Sequence, residues 1–385
     1  MIFLKTYFIH TIELIKPIKS EIYKALKNDT DYSVILNDNI FIDEYLVNNT
    51  YSPKGLIIEL HKCTSNEIMT YRKPYKLILK VNPSKLIHEG DPVNNITDKE
   101  TFKMAFDEFA ELIDSVFTES DINDIDEYII ERIDITRDIH GIPEDVIKEV
   151  NMMLYRMPMY DGYAHNTQLE KNCKTFRRED SFNAVNYSRG IEFVIYNKHQ
   201  AAIDNHYDLA AVDHYKDTLR IKLRCNKKYI NKHFIGKNIR KTLLNAYDNM
   251  KESVEEIYFR LFKFPTSLCH LPSKLLIKYI FDRCDNKKAK CRRMVTLLDE
   301  LDKYKQDDLQ TALNNVYPSE KRQRKIKEHY EEYGFSPLTT RNKNIPFIQS
   351  LDSLLEFEKP TELEYDLFRI VDEQYSEVFF HEPVR

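Results

Sequence analysis

Tryptophan is absent from this chain, and glycine is scarce, with 7 copies in 385 residues. No G-x-x-x-x-G-K-[ST] and no G-x-G-x-x-G occurs anywhere. Both nucleotide-binding loops need glycine where the backbone must approach phosphate closely, so a P-loop enzyme and a Rossmann dehydrogenase are excluded. C-x-x-C pairs are missing too. The six cysteines, Cys63, Cys173, Cys225, Cys269, Cys284 and Cys291, are scattered, which reads as reduced thiols in a cytoplasm rather than a disulfide frame or a zinc knuckle. Cys284 and Cys291 flank a lysine run at a spacing that does not suit a zinc pair. No window approaches the ~18 apolar residues of a membrane span. The opening "MIFLKTYFIHTIELI" alternates around Lys5, His10 and Glu13, which suits a first strand better than a signal peptide. An overall positive charge is also lacking. With a net charge of −5, any nucleic-acid binding must come from a local patch, because the mean field repels phosphate.

What is present is ordinary globular material, 42% hydrophobic and 31% charged, long enough for two or three domains. Up to about residue 90 the pattern is mostly strand. "GLIIELHK" (Gly55–Lys62) and "YKLILKV" (Tyr75–Val81) alternate or run apolar with β-branched residues. "TDKETFKMAFDEFAELIDSVF" (Thr97–Phe117) predicts a helix, with capping-box spacing at Thr97 and Glu100 and an apolar stripe of Phe102, Phe106, Phe109, Ile113 and Val116. "PEDVIKEVNMMLY" (Pro143–Tyr155) predicts a second helix with proline in its first turn. A polar stretch from about Met157 to Asp180 reads as a long loop. "GIEFVIYNK" (Gly190–Lys198) and "DTLRIKLRC" (Asp217–Cys225) return to strand, with a helix expected between them. After about Phe234 the chain reads as helix. One long amphipathic segment spans Asn238–Phe262, and shorter ones run at about Ser273–Cys284, Arg292–Tyr304, Asp307–Val316 and Ser319–Tyr333. The tail is acidic. A domain boundary is expected near residue 235, dividing 1–235 from 236–385.

Side chains alternate faces along a strand, and five segments repeat one pattern. In "IIERIDITRDIHG" (Ile129–Gly141), Arg132, Asp134 and Thr136 share a face, opposite Ile133 and Ile135. Glu59 and His61 oppose Ile58 and Leu60. Lys76 and Lys80 oppose Leu77, Leu79 and Val81. Glu192, Tyr196 and Lys198 oppose Phe193 and Ile195, while Arg220, Lys222 and Arg224 oppose Leu219, Ile221 and Leu223. The expectation is an α+β fold: an antiparallel sheet with helices on its apolar face and one open ionic face, followed by an all-helical C-terminal domain. The ionic face is rich in Arg and Lys. It continues into "RCNKKYINKHFIGKNIRK" (Arg224–Lys241), where Lys227 and Lys228 precede an interleaved Tyr229, and cationic groups on a shaped surface are what a phosphate backbone requires.

The order "LILKVNPSKLI", "RIDIT", "NYSRGIEFVIYNK", "LRIKLRC" resembles the rolling-circle replication initiators of plasmids and phages, in the branch called replication initiation factors. Members typically show R-[IL]-D, then Y-[DN]-K with a nearby Glu, then L-R-[FI]-E. The likeness covers about residues 1–230 and, more weakly, the helical remainder. It implies a nuclease-like βα-sandwich in which a tyrosine attacks one phosphodiester at an origin. The 5′ end is then held as phosphotyrosine while the free 3′-hydroxyl primes synthesis. It also implies Mg²⁺ or Mn²⁺ on oxygen donors, a DNA partner (an origin, single-stranded or cruciform), a replicative helicase as a further partner, and a cytoplasmic location without membrane contact. Arg132 and Asp134 match R-x-D, and Tyr196, Asn197 and Lys198 match Y-[DN]-K. On this resemblance Asp134 becomes a metal or supporting carboxylate, and Lys198 a contact to the scissile phosphate.

The chain departs from the family pattern in three places. Gln200 and Ala201 stand where many members have Glu, and Lys222 replaces the Glu of L-R-[FI]-E, putting a cation where a metal ligand would be. The usual nucleophile position falls near Asn183, and Tyr187, ~13 Å further along an extended strand, is the nearest tyrosine of the same parity. None of the 12 histidines forms a His-hydrophobe-His pair. The candidate nucleophiles are therefore Tyr187 and Tyr196. The candidate metal shell is Asp134 with Glu59, His61 or Glu192. The candidate DNA contacts are Arg132, Lys198, Arg220, Lys222, Arg224, Lys227 and Lys228, joined by Arg322, Arg324 and Lys325 of "SEKRQRKIKEHYEEY" (Ser319–Tyr333). Capped by Ser319 and preceded by two short helices, that last segment fits a recognition helix, and "DNKKAKCRR" (Asp285–Arg293) adds a basic loop before it. Two other functions compete with an active nickase: a catalytically inactive relative that binds DNA as a regulator, and a module whose basic face meets an acidic protein.

Overall fold

The computed structural model describes residues 6–28, 31–35, 45–91, 93–117, 120–166, 179–283, 288–303, 308–342 and 344–367. Ten strands form one antiparallel sheet: β1 (Phe8–Ile18), β2 (Ser33–Ile35), β3 (Tyr45–Asn48), β4 (Leu56–Lys62), β5 (Tyr75–Val81), β6 (Ile129–His140), β7 (Ala164–His165), β8 (Ser181–Asn186), β9 (Ile191–Asn197) and β10 (Thr218–Asn226). Their spatial order is β2-β3-β4-β5-β1-β6-β10-β9-β8-β7. The helices are α1 (Ser20–Lys27), α2 (Ser65–Tyr71), α3 (Pro83–Ile87), α4 (Lys99–Val116), α5 (Ser120–Asn123), α6 (Glu144–Arg156), α7 (Lys198–Asp204), α8 (Leu209–His214), α9 (Lys227–His233), α10 (Ile239–Asp248), α11 (Met250–Phe259), α12 (Ser273–Arg283), α13 (Lys288–Lys303), α14 (Leu309–Val316), α15 (Glu320–Tyr333) and α16 (Leu351–Leu354). The α+β class and the helical C-terminal region are as expected.

Alternation holds across the register. The apolar row Val81, Ile12, Ile133, Cys225 and Ile191 runs through five adjacent strands, and Leu79–Leu14 and Ile135–Leu223–Phe193 run parallel to it. Helices cover this side. α4 buries Phe102, Phe106, Phe109 and Ile113 of the expected stripe and adds Ala105, while Val116 at its end is only half-buried; complete burial of each aromatic stabilises by about 1.5–3 kcal/mol. Its cap is Asp98, which accepts from Thr101 N, one residue later than the Thr97 box anticipated. α6 lays Tyr155 against Phe182 of β8, and Tyr258 of α11 meets Phe193 of β9. The buried core therefore continues through the region of residue 235 without a break.

Several expectations need correction. The single helix read over Asn238–Phe262 is two, α10 and α11, broken at Asn249. The helix between β9 and β10 is also a pair, α7 and α8, separated at His206, which has positive φ. Tyr229 lies on the buried face of α9 instead of interleaving with lysines at the surface. Cys63, Cys225 and Cys269 are free and buried, but Cys291 is disulfide-bonded, against the expectation of reduced thiols. Cys173, Cys284, residues 167–178 of the long polar loop and residues 285–287 of the basic loop lie outside the described residues.

One residue breaks the alternation. Arg137 shares its face with Ile133, Ile135 and Ile139, yet is 2% exposed. It crosses the apolar side to donate to Leu355 O at 3.2 Å and to pair with Glu356, stacking near Tyr7. This ties the middle of the sheet to the segment after α16.

The β8–β9 turn holds Glu192 in place. Asn186 Oδ1 accepts from Arg189 N at 3.0 Å and from Ser188 Oγ at 2.8 Å, and Gly190 closes the turn at φ +72°. A Cβ on Gly190 would lie 1.9 Å from Asn226 Oδ1 at the end of β10. Gly190→Ala is therefore expected to destabilise the fold by about 1–3 kcal/mol from the left-handed backbone alone, with the Asn226 clash added to that. Chemical denaturation checks this, and unchanged stability would mean that the turn is not built as described.

Candidate functional site

The other face of the sheet is ionic, and its charges answer one another across strands. Register places Glu13, Arg132 and Asn226 in one row, Thr11, Asp134, Arg224 and Glu192 in the next, then Thr136, Lys222 and Val194, then Asp138, Arg220 and Tyr196. At the centre Asp134 is 2% exposed and faces Arg224 at 3.2 Å, Arg132 at 3.3 Å and Lys222 at 3.7 Å. Burial pushes its carboxyl upward, but Lys222, Arg224 and Arg132 outweigh that, so its pKa lies below the ordinary value. Arg224 also donates to Glu192 at 2.7 Å, and Glu192 accepts from Asn183 at 2.7 Å and Asn166 at 2.9 Å. Arg132 reaches Glu13 at 3.1 Å.

A second cluster stands apart on β4 and β5. Glu59 meets His61 at 2.9 Å and Lys80 at 2.5 Å, and Tyr45 stacks on His61 with ring centroids 4.5 Å apart. Burial raises the Glu59 carboxyl, and its bonds to His61 and Lys80 bring it below the usual value. β5 and β1 lie between β4 and β6, so Glu59 and Asp134 sit at least roughly 14 Å apart at normal strand spacing. The four proposed metal ligands thus fall into two groups, each already neutralised by cations. Among the described residues no group of three or more His, Cys, Asp or Glu is placed to hold a metal. The donor set does not fit Mg²⁺ or Mn²⁺, which need several oxygen ligands converging at one point.

The far end of the ionic face is different. Arg220 is 1% exposed and bidentate to Asp138, at 2.5 and 2.6 Å. Lys198, expected on the strand face, is instead the first residue of α7 and 4% exposed. Its ammonium lies 4.7 Å from the Tyr207 ring and 4.5 Å from the Tyr215 ring, and among the described residues nothing hydrogen-bonds or ion-pairs with it. Burial, then repulsion from Arg220, lowers its pKa to about 6. Lys222 stands 5.7 Å from the Tyr196 ring. His10, on a bulge of β1, is held well below its usual pKa by burial and then by Arg220, Lys222, Lys198 and Lys85. Around Lys198 the cations Arg220, Lys222 and Lys85 outnumber the single carboxylate, Asp138.

Two further expectations are corrected. The ionic face is not an open cationic surface: α7 and α8 roof its Arg220 end, and most of its arginine and lysine charge is paired. Tyr187 lies beyond β8 in the turn, 69% exposed, whereas Tyr196 is on the ionic face directly opposite Arg220. Lys227 rests against Tyr71 and Lys228 is exposed. Sequence alternation missed Asp138, His10, Lys85, Tyr207 and Tyr215. For Asp138 the signal was present, as the next residue of the Arg132–Asp134–Thr136 parity. For the others, which are brought in by a bulge and by short helices, it was not.

In the C-terminal region α13, α14 and α15 pack as a trio, with Tyr317, Pro318 and Ser319 turning α14 into α15. Tyr330 Oη donates to Met294 O at 2.8 Å, and Ile326, Leu297, Leu298 and Leu313 are buried between the helices. Ser319 occupies the N-cap without a side-chain bond. Arg322 and Lys325 are exposed, as are Arg292 and Arg293 of α13, while Arg324 pairs loosely with Glu328 at 3.6 Å.

Two outcomes follow from these charges. Asp134→Ala strips the counter-charge from three neighbouring cations and is expected to cost about 3–5 kcal/mol in urea unfolding; a loss below 1 kcal/mol would contradict the network. Lys198 is neutral in the fold and charged when unfolded between pH 6 and 10.5, so the folded state binds fewer protons and stability rises with pH across that window. Lys198→Met is therefore expected to raise Tm most at pH 6, with the gain shrinking toward pH 10. A gain independent of pH would refute the buried neutral lysine.

No protein-family profile and no curated protein matches the sequence. Among solved structures, the chain is similar to the rolling circle replication initiator protein from Geobacillus stearothermophilus. That match covers 66% of this chain and 85% of the other, with 8% identity and a TM-score of 0.29. It is a distant likeness, too slight to bear on activity.

Proposed function

We propose that the chain is a DNA-binding protein of the rolling-circle initiator type whose sheet does not build a carboxylate-held divalent-cation centre. The reading rests on the motif order in the sequence: R-x-D and L-R-I-K sit on β6 and β10, and Y-N-K spans the end of β9 and the first residue of α7, so the three lie on or next to three neighbouring strands of one sheet. The observation that carries the second half is Asp134, the one carboxylate of the R-x-D motif, enclosed by Arg132, Lys222 and Arg224. A metal ion there would have to displace a guanidinium and sit beside two further cations, a repulsion that a low-dielectric site magnifies. The Lys222 that stands where family members carry Glu is part of that enclosure.

DNA contact is assigned chiefly to the helical trio. α14 and α15, joined by a three-residue turn over α13, have the connectivity of a helix-turn-helix, and Arg322, Lys325, Arg292 and Arg293 present cations with no carboxylate partner among the described residues. Anisotropy with duplex and single-stranded oligonucleotides, across a salt series, tests this. Binding is expected to weaken steeply with salt, and the double variant Arg322→Ala/Lys325→Ala to flatten the log–log slope by roughly two. Relaxation of supercoiled plasmid is expected to gain nothing from Mg²⁺ or Mn²⁺. Absence of DNA binding at low salt, with capture of an acidic protein instead, would sink the nucleic-acid reading. Mg²⁺-dependent nicking abolished by Asp134→Asn would restore the metal centre.

A further inference from the structure

A cavity of about 290 Å³ opens between the end of α11 and α15. It lies away from the ionic face, since Tyr258 in its lining also meets Phe193 on the apolar face of the sheet. We propose that this cavity takes one unpaired DNA base, stacked on Tyr160 and Phe259 with its polar edge against Lys327 and Glu331. The inference rests on the DNA-binding reading above and adds a contact point for single strands to it.

The aromatic side is set by a short backbone pairing. Met159 and Phe262 form a bridge, in which Tyr160 N donates to Leu261 O at 3.0 Å and Lys263 N to Pro158 O at 2.7 Å. Tyr160 and Phe259, the last residue of α11, thereby line one cavity, together with buried Phe262 and Phe264. Tyr160 is 49% exposed and Phe259 45%. The Tyr160 ring and hydroxyl have no partner among the described residues, and Phe259 leans on Phe357 with centroids 5.9 Å apart. Rings held at the mouth of a cavity and still facing water gain from a planar ligand laid on them, and every base has such a face.

The polar side comes from α15. Lys327 and Glu331 both line the cavity, and four-residue spacing puts them on one side of the helix. Lys327 is half-buried 5.7 Å from the Phe264 ring centroid, and among the described residues it donates only to Lys263 O, at 3.3 Å. The Glu331 carboxylate accepts from nothing among them. A donor beside an acceptor matches a nucleobase edge, where an N–H stands next to a lone pair. An aromatic side chain from a protein would fill the same space and leave both charges unanswered, at a desolvation cost. The volume is at the small end of ligand sites, which begin at ~300 Å³, so it suits one base, and a base reaches a concave site only when it is out of the stack. Lys263 pairs with Asp161 at 2.6 Å, where Asp161 is 97% exposed. A surface pair of that kind is weak, so a phosphate of the entering strand can take its place.

The test titrates the full-length protein with single-stranded oligonucleotides of ~16 nucleotides, with the matching duplexes and with deoxynucleoside monophosphates, over a salt series. A parallel set carries iodo-deoxyuridine for photocrosslinking, with the crosslinked peptide mapped by mass spectrometry. Three results are expected: a crosslink at Tyr160 or Phe259, single-strand binding ~5–100-fold weaker in Tyr160→Ala with duplex binding and the salt slope unchanged, and affinity kept in Tyr160→Phe. Thermal melting of the variants verifies that they fold. Single-strand binding that is unchanged in both Tyr160→Ala and Phe259→Ala, with crosslinks elsewhere, overturns this proposal, leaves the cavity to a protein side chain and leaves the DNA-binding reading standing. An equal loss on duplex, or monophosphates that bind as tightly as the strand, also overturns it. Absence of any DNA binding at low salt defeats the DNA-binding reading, and the base pocket with it.

Discussion

A carboxylate taken out of water has to be answered by positive charge, and in this protein the answer given to Asp134 organises the whole polar side of the sheet. Arg132, Lys222 and Arg224 come from two adjacent strands to one pair of oxygens. Arg224 is then shared with Glu192 on the next strand, and Arg132 with Glu13 on the strand beyond the other side. Each cation held in this way is unavailable elsewhere, and each carboxylate held in this way is unavailable to a metal. The same network therefore determines both what the face can no longer do and where unspent charge remains.

That unspent charge lies under α7 and α8. Lys198 is nearly inaccessible, without a counter-ion among the described residues, and depressed to about 6 by burial. A fold under pressure only for stability would replace it with an apolar side chain of similar volume. On the opposite side Arg137 is also buried but is paired, bridging to Leu355 O and Glu356, and it is best understood as a tie between sheet and C-terminal segment.

Much of the layout was legible in the chain. β5 spans the predicted residues without change, β4, β9 and β10 begin one residue later than read, and α4 buries the stripe its phenylalanines spell out. Periodicity succeeds there because one face of each element is dry and the other is not. It failed at Asn249, which ends one helix and opens the next within one apolar pattern, and at Lys198, where strand parity was extended one residue past the strand into a helix. It also misjudged Tyr187, whose parity is right but whose residue lies in a turn. The long-range partners of Asp134 could not be read at all, because its contacts to Lys222 and Arg224 depend on which strands become neighbours.

The sequence by itself determined which residues are polar-side and which are core-side, because a strand's two-residue period is a local property of the backbone. Only the tertiary structure decided what those polar residues do. Pairing order places Arg224 between Asp134 and Glu192, sets Arg220 against Asp138, and lays the α7–α8 insert over Lys198. Electrostatic fate depends on distances of 3 to 4 Å between residues as many as 90 positions apart in the chain, and only the folded arrangement of strands sets those distances.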